Sequence, residues 1–179
     1  MLTSLIHMNQ ATRGLDFKTA PECPFRTRVT EYYNPDSDAL RFEGYRLQVY
    51  LYNATGAATV DGQVCMVAFD GDEETNPSCI AAATTAIPRD FVVSDGIIPI
   101  TSWGWWTVCG PAEVLVLGTT DLIKDDYIQA VNAQAYAAED TTSLTADSIG
   151  IYQDDTTWTT DATTALRKCF LFGGTHLIG

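Results

Sequence analysis

The stretch Trp103-Gly104-Trp105-Trp106-Thr107-Val108-Cys109-Gly110-Pro111-Ala112-Glu113-Val114-Leu115-Val116-Leu117 decides the fold class. Aromatic and β-branched side chains suit a pleated, half-buried surface. The run divides into two strand-length pieces, Trp105 to Cys109 and Glu113 to Leu117, on either side of the turn-like pair Gly110-Pro111. In an extended chain Trp103 and Trp105 share one face and Trp106 takes the other. Large aromatics fill β interiors, so one face is expected to be core. Trp also concentrates at contact hot spots, so the other is expected to be a contact between subunits. Trp103 and Trp106, one from each face, are the candidates for such a contact, and a sugar-stacking platform is the related reading of the same cluster.

Working outward, the pattern stays β. Tyr45 to Tyr52 mixes aromatic and branched residues in one strand-length run, closed by a turn at Asn53-Ala54-Thr55-Gly56. Val64 to Phe69 is a second strand. Phe91-Val92-Val93 and Ile97-Ile98, joined by Ser94-Asp95-Gly96, read as a hairpin. Tyr127 to Val131, Ala135 to Ala137, Ala146 to Tyr152 and Cys169 to Phe172 complete the set. The Ala-rich stretch from Ala130 to Asp140 has some helical character, but its neighbours favour a hairpin. Ser4 to Gly14 has room for a short helix. Strands about ten residues apart, with Gly, Pro, Asn, Asp or Thr between them, indicate an all-β fold, a β-sandwich or small β-barrel. No internal repeat is visible.

The chain of 179 residues is sized for one domain and an appendage. A domain of that size buries roughly 70% of its unfolded surface and needs no disulfide or metal to fold. No apolar run approaches the roughly 20 residues of a membrane span, and the start has neither the basic region nor the apolar core of a secretory signal. The net charge is −13. Met1 to Arg46 is neutral, with six Lys/Arg and six Asp/Glu, so the remainder carries the whole −13. Nucleic acid is therefore excluded as a direct partner, because phosphate binding needs a dense basic face. The acidic surface is read as a solubility device that faces solvent.

Residues 1–46 lack periodicity and contain Pro21, Pro24 and Pro35, which predicts an extended N-terminal arm ahead of a β domain at 47–179. The arm nevertheless carries Phe17, Phe25, Tyr32, Tyr33 and Phe42. Such residues either pack back on the domain or bury against a partner. Because the arm is neutral, it approaches another acidic surface without the repulsion the body would meet. These five aromatics are its candidate partner contacts.

Chemistry is sparse. There is no G-x-S-x-G, and the two histidines, His7 and His176, lie near the termini. No nucleophile with a base in reach is marked, and the expectation is a protein that is not an enzyme and takes no cofactor. The five cysteines are odd in number and form no C-x-x-C pair. They are expected to be reduced, buried thiols of a protein made in a cytoplasm. The acidic groups Asp70 to Glu74, Asp121 with Asp125 and Asp126, and Asp154-Asp155 lack EF-hand spacing and read as solvated hairpin tips.

Gly104-Trp105-Trp106-Thr107-Val108-Cys109-Gly110-Pro111-Ala112-Glu113-Val114, then Gly118-Thr119-Thr120-Asp121 and Lys124-Asp125-Asp126-Tyr127-Ile128, resembles small proteins encoded among the head genes of tailed bacteriophages. Their hairpin of the type G-W-x-x-V-x-G-x-A-x-V is followed by a turn and a G-D-x-L segment, whose Gly is replaced here by Asp125. Ala146 to Ile151 and Arg167 to Gly173 are similar to the closing strands of that family. The resemblance covers roughly residues 60 to 173. It implies a capsid decoration or cement protein that binds the outside of the phage head and stabilises it. On that reading the protein is made in the bacterial cytoplasm and ends on the virion surface. Its partners are the major capsid protein and further copies of itself, as a dimer or trimer, with no nucleic acid or membrane partner. The alternative is a receptor- or glycan-binding β module of a head fibre or tail.

Overall fold

The structure, a computed structural model, describes residues 44–67, 82, 90–118, 122–140, 147–154, 158 and 163–173, and the backbone of 28–33 and 78–81. Among these residues there is no helix. The strands are β1 (Arg28–Tyr33), β2 (Gly44–Asn53), β3 (Val64–Val67), β4 (Ser78–Ala81), β5 (Phe91–Ser94), β6 (Trp103–Leu117), β7 (Tyr127–Ala130), β8 (Ala137–Asp140), β9 (Ser148–Tyr152) and β10 (Thr164–Phe172). The chain is all-β, and of the two expected architectures it is a closed barrel. The expected turn at Gly110-Pro111 is not a turn: β6 runs straight through it for 15 residues. Ala130 to Asp140 is the expected hairpin, with β7 and β8 antiparallel. Ile97-Ile98 is not a strand. The antiparallel partners of β5 are β3 and β6 instead.

The pairings close into two rings that share β6. The first runs β2-β4-β3-β5-β6 and back to β2. The second runs β6-β8-β7-β9-β10 and back to β6. An odd number of strands cannot alternate direction all the way round a closed ring. Each ring accordingly contains one parallel pair, β2 with β4 and β6 with β8. The connectivity is the same in both: first strand beside third in parallel, then second, fourth and fifth, all antiparallel. The register matches too. In each ring the last two residues of the first strand face the first two of the third, Tyr52↔Ser78 and Asn53↔Cys79 in one, Val116↔Ala137 and Leu117↔Ala138 in the other. Equal register means equal stagger, the quantity that fixes barrel size for a given strand number.

The two rings close on opposite faces of β6, and a bulge makes this possible. Leu47 lies opposite Cys109 while Gln48 lies opposite Thr107, so Val108 is an extra residue. One extra residue exchanges the faces of everything beyond it. Before the bulge Trp106 faces the first core with Val49, Leu51, Cys65, Val67, Val92 and Ile98. After it Ala112, Val114 and Val116 face the second core with Ile128, Tyr152, Cys169 and Leu171. Gly110 follows with φ of 96°, and a Cβ there would sit 2.5 Å from the Tyr45 carbonyl oxygen. Only glycine meets both demands.

The barrels are joined beyond their shared strand. Val64, Met66, Phe91 and Val93 of β3 and β5 pack into the second core. Backbone hydrogen bonds run from Val64 N to Ala135 O at 2.9 Å, from Ala133 N to Ala82 O at 2.8 Å and from Leu115 N to Gly62 O at 2.8 Å. β1 extends the first sheet by pairing antiparallel with β2. The boundary expected at residue 46 therefore falls inside β2, and Arg46 is a buried member of it, ion-paired to Asp95 at 2.9 Å.

Two outcomes follow from this packing. Gly110→Ala is expected to destabilise the protein by about 3 kcal/mol or more, combining a left-handed backbone with a steric clash. Gly56→Ala, with φ of 90° but open space around it, is expected to cost only about 1–2 kcal/mol. Urea titrations of the two variants compare these directly. The second outcome concerns thiols. Burial pushes the Cys65 thiol up to about 12 and holds Cys169 well above its ordinary range. An unfolded thiol titrates near 9.0, so this contribution to stability is complete below that pH and is lost as pH rises from 9 toward 12. Alkylation of the native protein near pH 8 is expected to label Cys109, which is only half-buried, before Cys65 or Cys169.

Candidate functional site

The residues expected to make contacts are placed differently by the structure. Trp106 has no exposed surface, and its indole N–H donates to the Leu51 carbonyl at 3.3 Å. Trp103 is 6% exposed. It stacks on Tyr50 with ring centroids 5.8 Å apart and meets Tyr52 edge-on at 5.7 Å. Trp105 adds to the cluster at 5.0 Å from Tyr50. Strand alternation separates Trp103 and Trp105 from Trp106 as expected, but both faces are buried. Trp103 and Trp106 are core residues in this fold, and neither offers a surface for a partner or a sugar. Tyr32 and Tyr33 end β1 opposite Tyr45 and Gly44, with their side chains outside the described residues. Phe17, Phe25 and Phe42 also lie outside the described residues, as do the loop Asp70 to Glu74 and Asp121. Asp126 closes a turn by accepting the Ile123 N–H at 2.8 Å. Among the described residues no three His, Cys, Asp or Glu side chains come together as a metal site.

A different feature stands out, at one end of the first barrel. Two loops meet there, 54–63 after β2 and 95–102 after β5. Asn53, fully buried at the end of β2, ties them together. Its amide nitrogen lies 2.9 Å from the Ala57 carbonyl, 2.9 Å from that of Ile98 and 3.2 Å from that of Pro99. Two amide hydrogens thus serve three carbonyls. Its carbonyl oxygen accepts from the Thr55 N–H at 3.0 Å and the Thr55 hydroxyl at 2.7 Å. Thr59 repeats the device: its N–H donates to Ile98 O at 3.0 Å, and its hydroxyl accepts the Ile98 N–H at 2.7 Å. Ser94 donates to Val60 O at 2.9 Å, and Asp61 accepts the Gly96 N–H at 3.0 Å.

Pairing Thr59 with Ile98 sends Ile98 inward and its neighbours outward. Ile98 is fully buried and packs on Gly104, where a Cβ would sit 2.7 Å from its side chain. Val60, Ile97 and Ile100 stand outside at 47%, 58% and 47% exposure. Ala57, Ala58 and Pro99 are exposed beside them. Neither 54–60 nor 97–101 contains a charged residue, although the chain carries −13. The result is an apolar, charge-free tip whose backbone is fixed before any partner arrives. A surface of this kind binds with little loss of loop entropy. The sequence reading missed it because Ile97-Ile98 looked like half of a hairpin. The outward alternation of Ile97, Pro99 and Ile100 around a Pro was the available signal.

Asn53→Asp keeps the shape but turns a carboxylate on three carbonyls. It is expected to destabilise the fold by about 2–4 kcal/mol and to open 54–60 to limited proteolysis, read by mass spectrometry of the first cleavage products. No known family model matches the chain, and no curated protein matches it.

Proposed function

We propose that this chain is a structural, non-catalytic module of a virion surface, a capsid decoration or cement protein that docks on the shell through the apolar tip of its first barrel. The observation that carries the docking part is the tip itself: Val60, Ile97 and Ile100 are exposed together on a backbone fixed by Asn53 and Thr59. Monomeric proteins place exposed apolar groups together mainly where something binds. The phage-head assignment is supported by the resemblance of residues 60 to 173 to head-gene products.

Physical requirements of such a role agree with the chain. A cement protein has to survive outside the cell, and two closed rings remove most of the strand edges that invite misassembly. A charge-free tip docks on a surface of either sign, where a body at −13 is repelled by any acidic one. Binding to the assembled shell then stabilises it by mass action.

The test uses the full chain and shells assembled without it. The wild-type protein is expected to co-sediment with shells and to raise the temperature at which they open. Ile97→Asp with Ile100→Asp is expected to abolish co-sedimentation while changing the protein's own stability by no more than about 0.5 kcal/mol each, since both sites are exposed. Wild-type protein that binds shells without changing their opening temperature defeats the cement reading. Full binding by the Ile97/Ile100 variant defeats the tip.

A further inference from the structure

We infer that the second barrel is the seat of the docking tip, and that Gly62 and Leu166 are the residues that position the tip loop on it. Only the consequence for shell binding rests on the docking reading above. The seating itself is a property of the free chain.

Loop 54–63 is fastened to both barrels. On the side of the first barrel Thr59 is pinned to Ile98, and the Val60 carbonyl accepts from the Ser94 hydroxyl at 2.9 Å. Beyond Val60 the anchorage changes. Gly62 is buried, and its carbonyl accepts the Leu115 N–H of β6 at 2.8 Å. A Cβ at Gly62 would lie 2.5 Å from Leu166 Cδ2 of β10, 2.8 Å from Leu115 N and 3.0 Å from Glu113 O. Two residues on, the Val64 N–H donates to the Ala135 carbonyl, between β7 and β8, at 2.9 Å. Val60, 47% exposed, stands between the two anchorages.

The second barrel contains an internal control for this contact. Residues 122–127 follow the geometry of 59–64 at the same place in their ring, just ahead of its second strand. Leu122 bonds to Trp158 across two loops, as Thr59 bonds to Ile98. The same turn comes next in both. The Val60 N–H donates to the Gln63 side-chain oxygen at 3.0 Å, and the Gln63 N–H donates back to the Val60 carbonyl at 3.2 Å. The Ile123 N–H donates to the Asp126 carboxylate at 2.8 Å, and the Asp126 N–H donates back to the Ile123 carbonyl at 3.1 Å. The third residue of each turn has positive φ, 69° at Gly62 and 76° at Asp125. Asp125 is exposed and carries a side chain in that conformation. The turn by itself therefore does not demand glycine. The demand at position 62 comes from the close approach of β6 and β10, which leaves no room for a Cβ. A side chain there lifts the loop off Leu115 and Leu166. A tip loop held by the first barrel alone has to order itself on docking, at a cost in entropy.

Hydrogen exchange of the full chain, read on peptides across 54–63, tests the seating without a shell. Gly62→Asn brings in a residue that accepts positive φ and adds the side chain that the second barrel excludes. It is expected to speed exchange in 54–63 by at least about tenfold. Exchange in β7 and β9 is expected to stay unchanged, which separates a displaced loop from a general loss of stability. Asp125→Asn, the same residue in the counterpart turn, is expected to leave 54–63 at the wild-type rate. Leu166→Ala removes the contact without adding an atom and is expected to speed 54–63 by at least about threefold. It decides the matter where Gly62→Asn fails to fold. Wild-type exchange in 54–63 in a folded Gly62→Asn or in Leu166→Ala overturns the inference. So does acceleration spread evenly over both barrels, or acceleration of 54–63 by Asp125→Asn. With shells, Gly62→Asn is expected to co-sediment at least about tenfold more weakly than the wild type. A wild-type chain that ignores shells while Gly62→Asn still frees the loop defeats the docking reading alone and leaves the seating in place.

Discussion

One extra residue in one strand organises the molecule. Val108 has no partner in β2, and its insertion exchanges the faces of β6 at mid-length. Without it, the even-numbered run Trp106, Val108, Ala112, Val114 and Val116 would crowd one side of a sheet. With it, the same alternation supplies two cores on opposite sides. Gly110 follows because β6 passes close to the backbone at Tyr45 and Arg46 there, leaving no room for a side chain. The shared strand also couples the two barrels energetically. Neither ring closes without β6, so loss of either core exposes the strand that completes the other.

Buried polar groups do the finer positioning. Asn53, Thr59, Gln48 and Arg46 are nearly inaccessible, and burial of such groups is tolerated only when they are hydrogen-bonded. Gln48 reaches Asp95 at 2.9 Å, the residue that also pairs with Arg46. The Asp95 turn is thereby pinned to β2, and Asn53 pins the loop that follows it. Each of these groups has few acceptable geometries, so the loops between them are held in one arrangement. Rigidity at the tip is a consequence of polar satisfaction beneath it, while Val60, Ile97 and Ile100 above it keep about half of their surface exposed.

The exposed apolar residues of the tip and those of β10 stand in different electrostatic surroundings. The tip, residues 54–60 and 97–101, has no charge. On β10, Leu166 and Phe170 flank Lys168, which lies opposite Glu113 of β6. A body at −13 repels copies of itself in most orientations at low salt.

The all-β class, the approximate strands and the hairpin from Ala130 to Asp140 were legible in the sequence, because period-two alternation and turn residues report local backbone directly. Burial of Cys65 was legible for the same reason, since it sits in apolar alternation, whereas Cys109, in the same kind of alternation, is only half-buried beside the bulge. Local pattern did not reveal that Gly110-Pro111 continues a strand, because a glycine with positive φ serves a turn and a bulged strand equally well. Nor did it reveal that Ile97 and Ile100 are exposed or that Trp103 and Trp106 are buried. Alternation assigns residues to two faces but does not say what covers each face. The repeated ring was invisible for a deeper reason. The two rings share connectivity and register but close on opposite faces of β6, so equivalent positions hold opposite environments: Leu51 is fully buried while Leu115, its counterpart by register, is only half-buried. A repeat whose inside and outside are exchanged leaves no matching hydrophobic pattern in the chain, and only the closed tertiary structure makes it apparent.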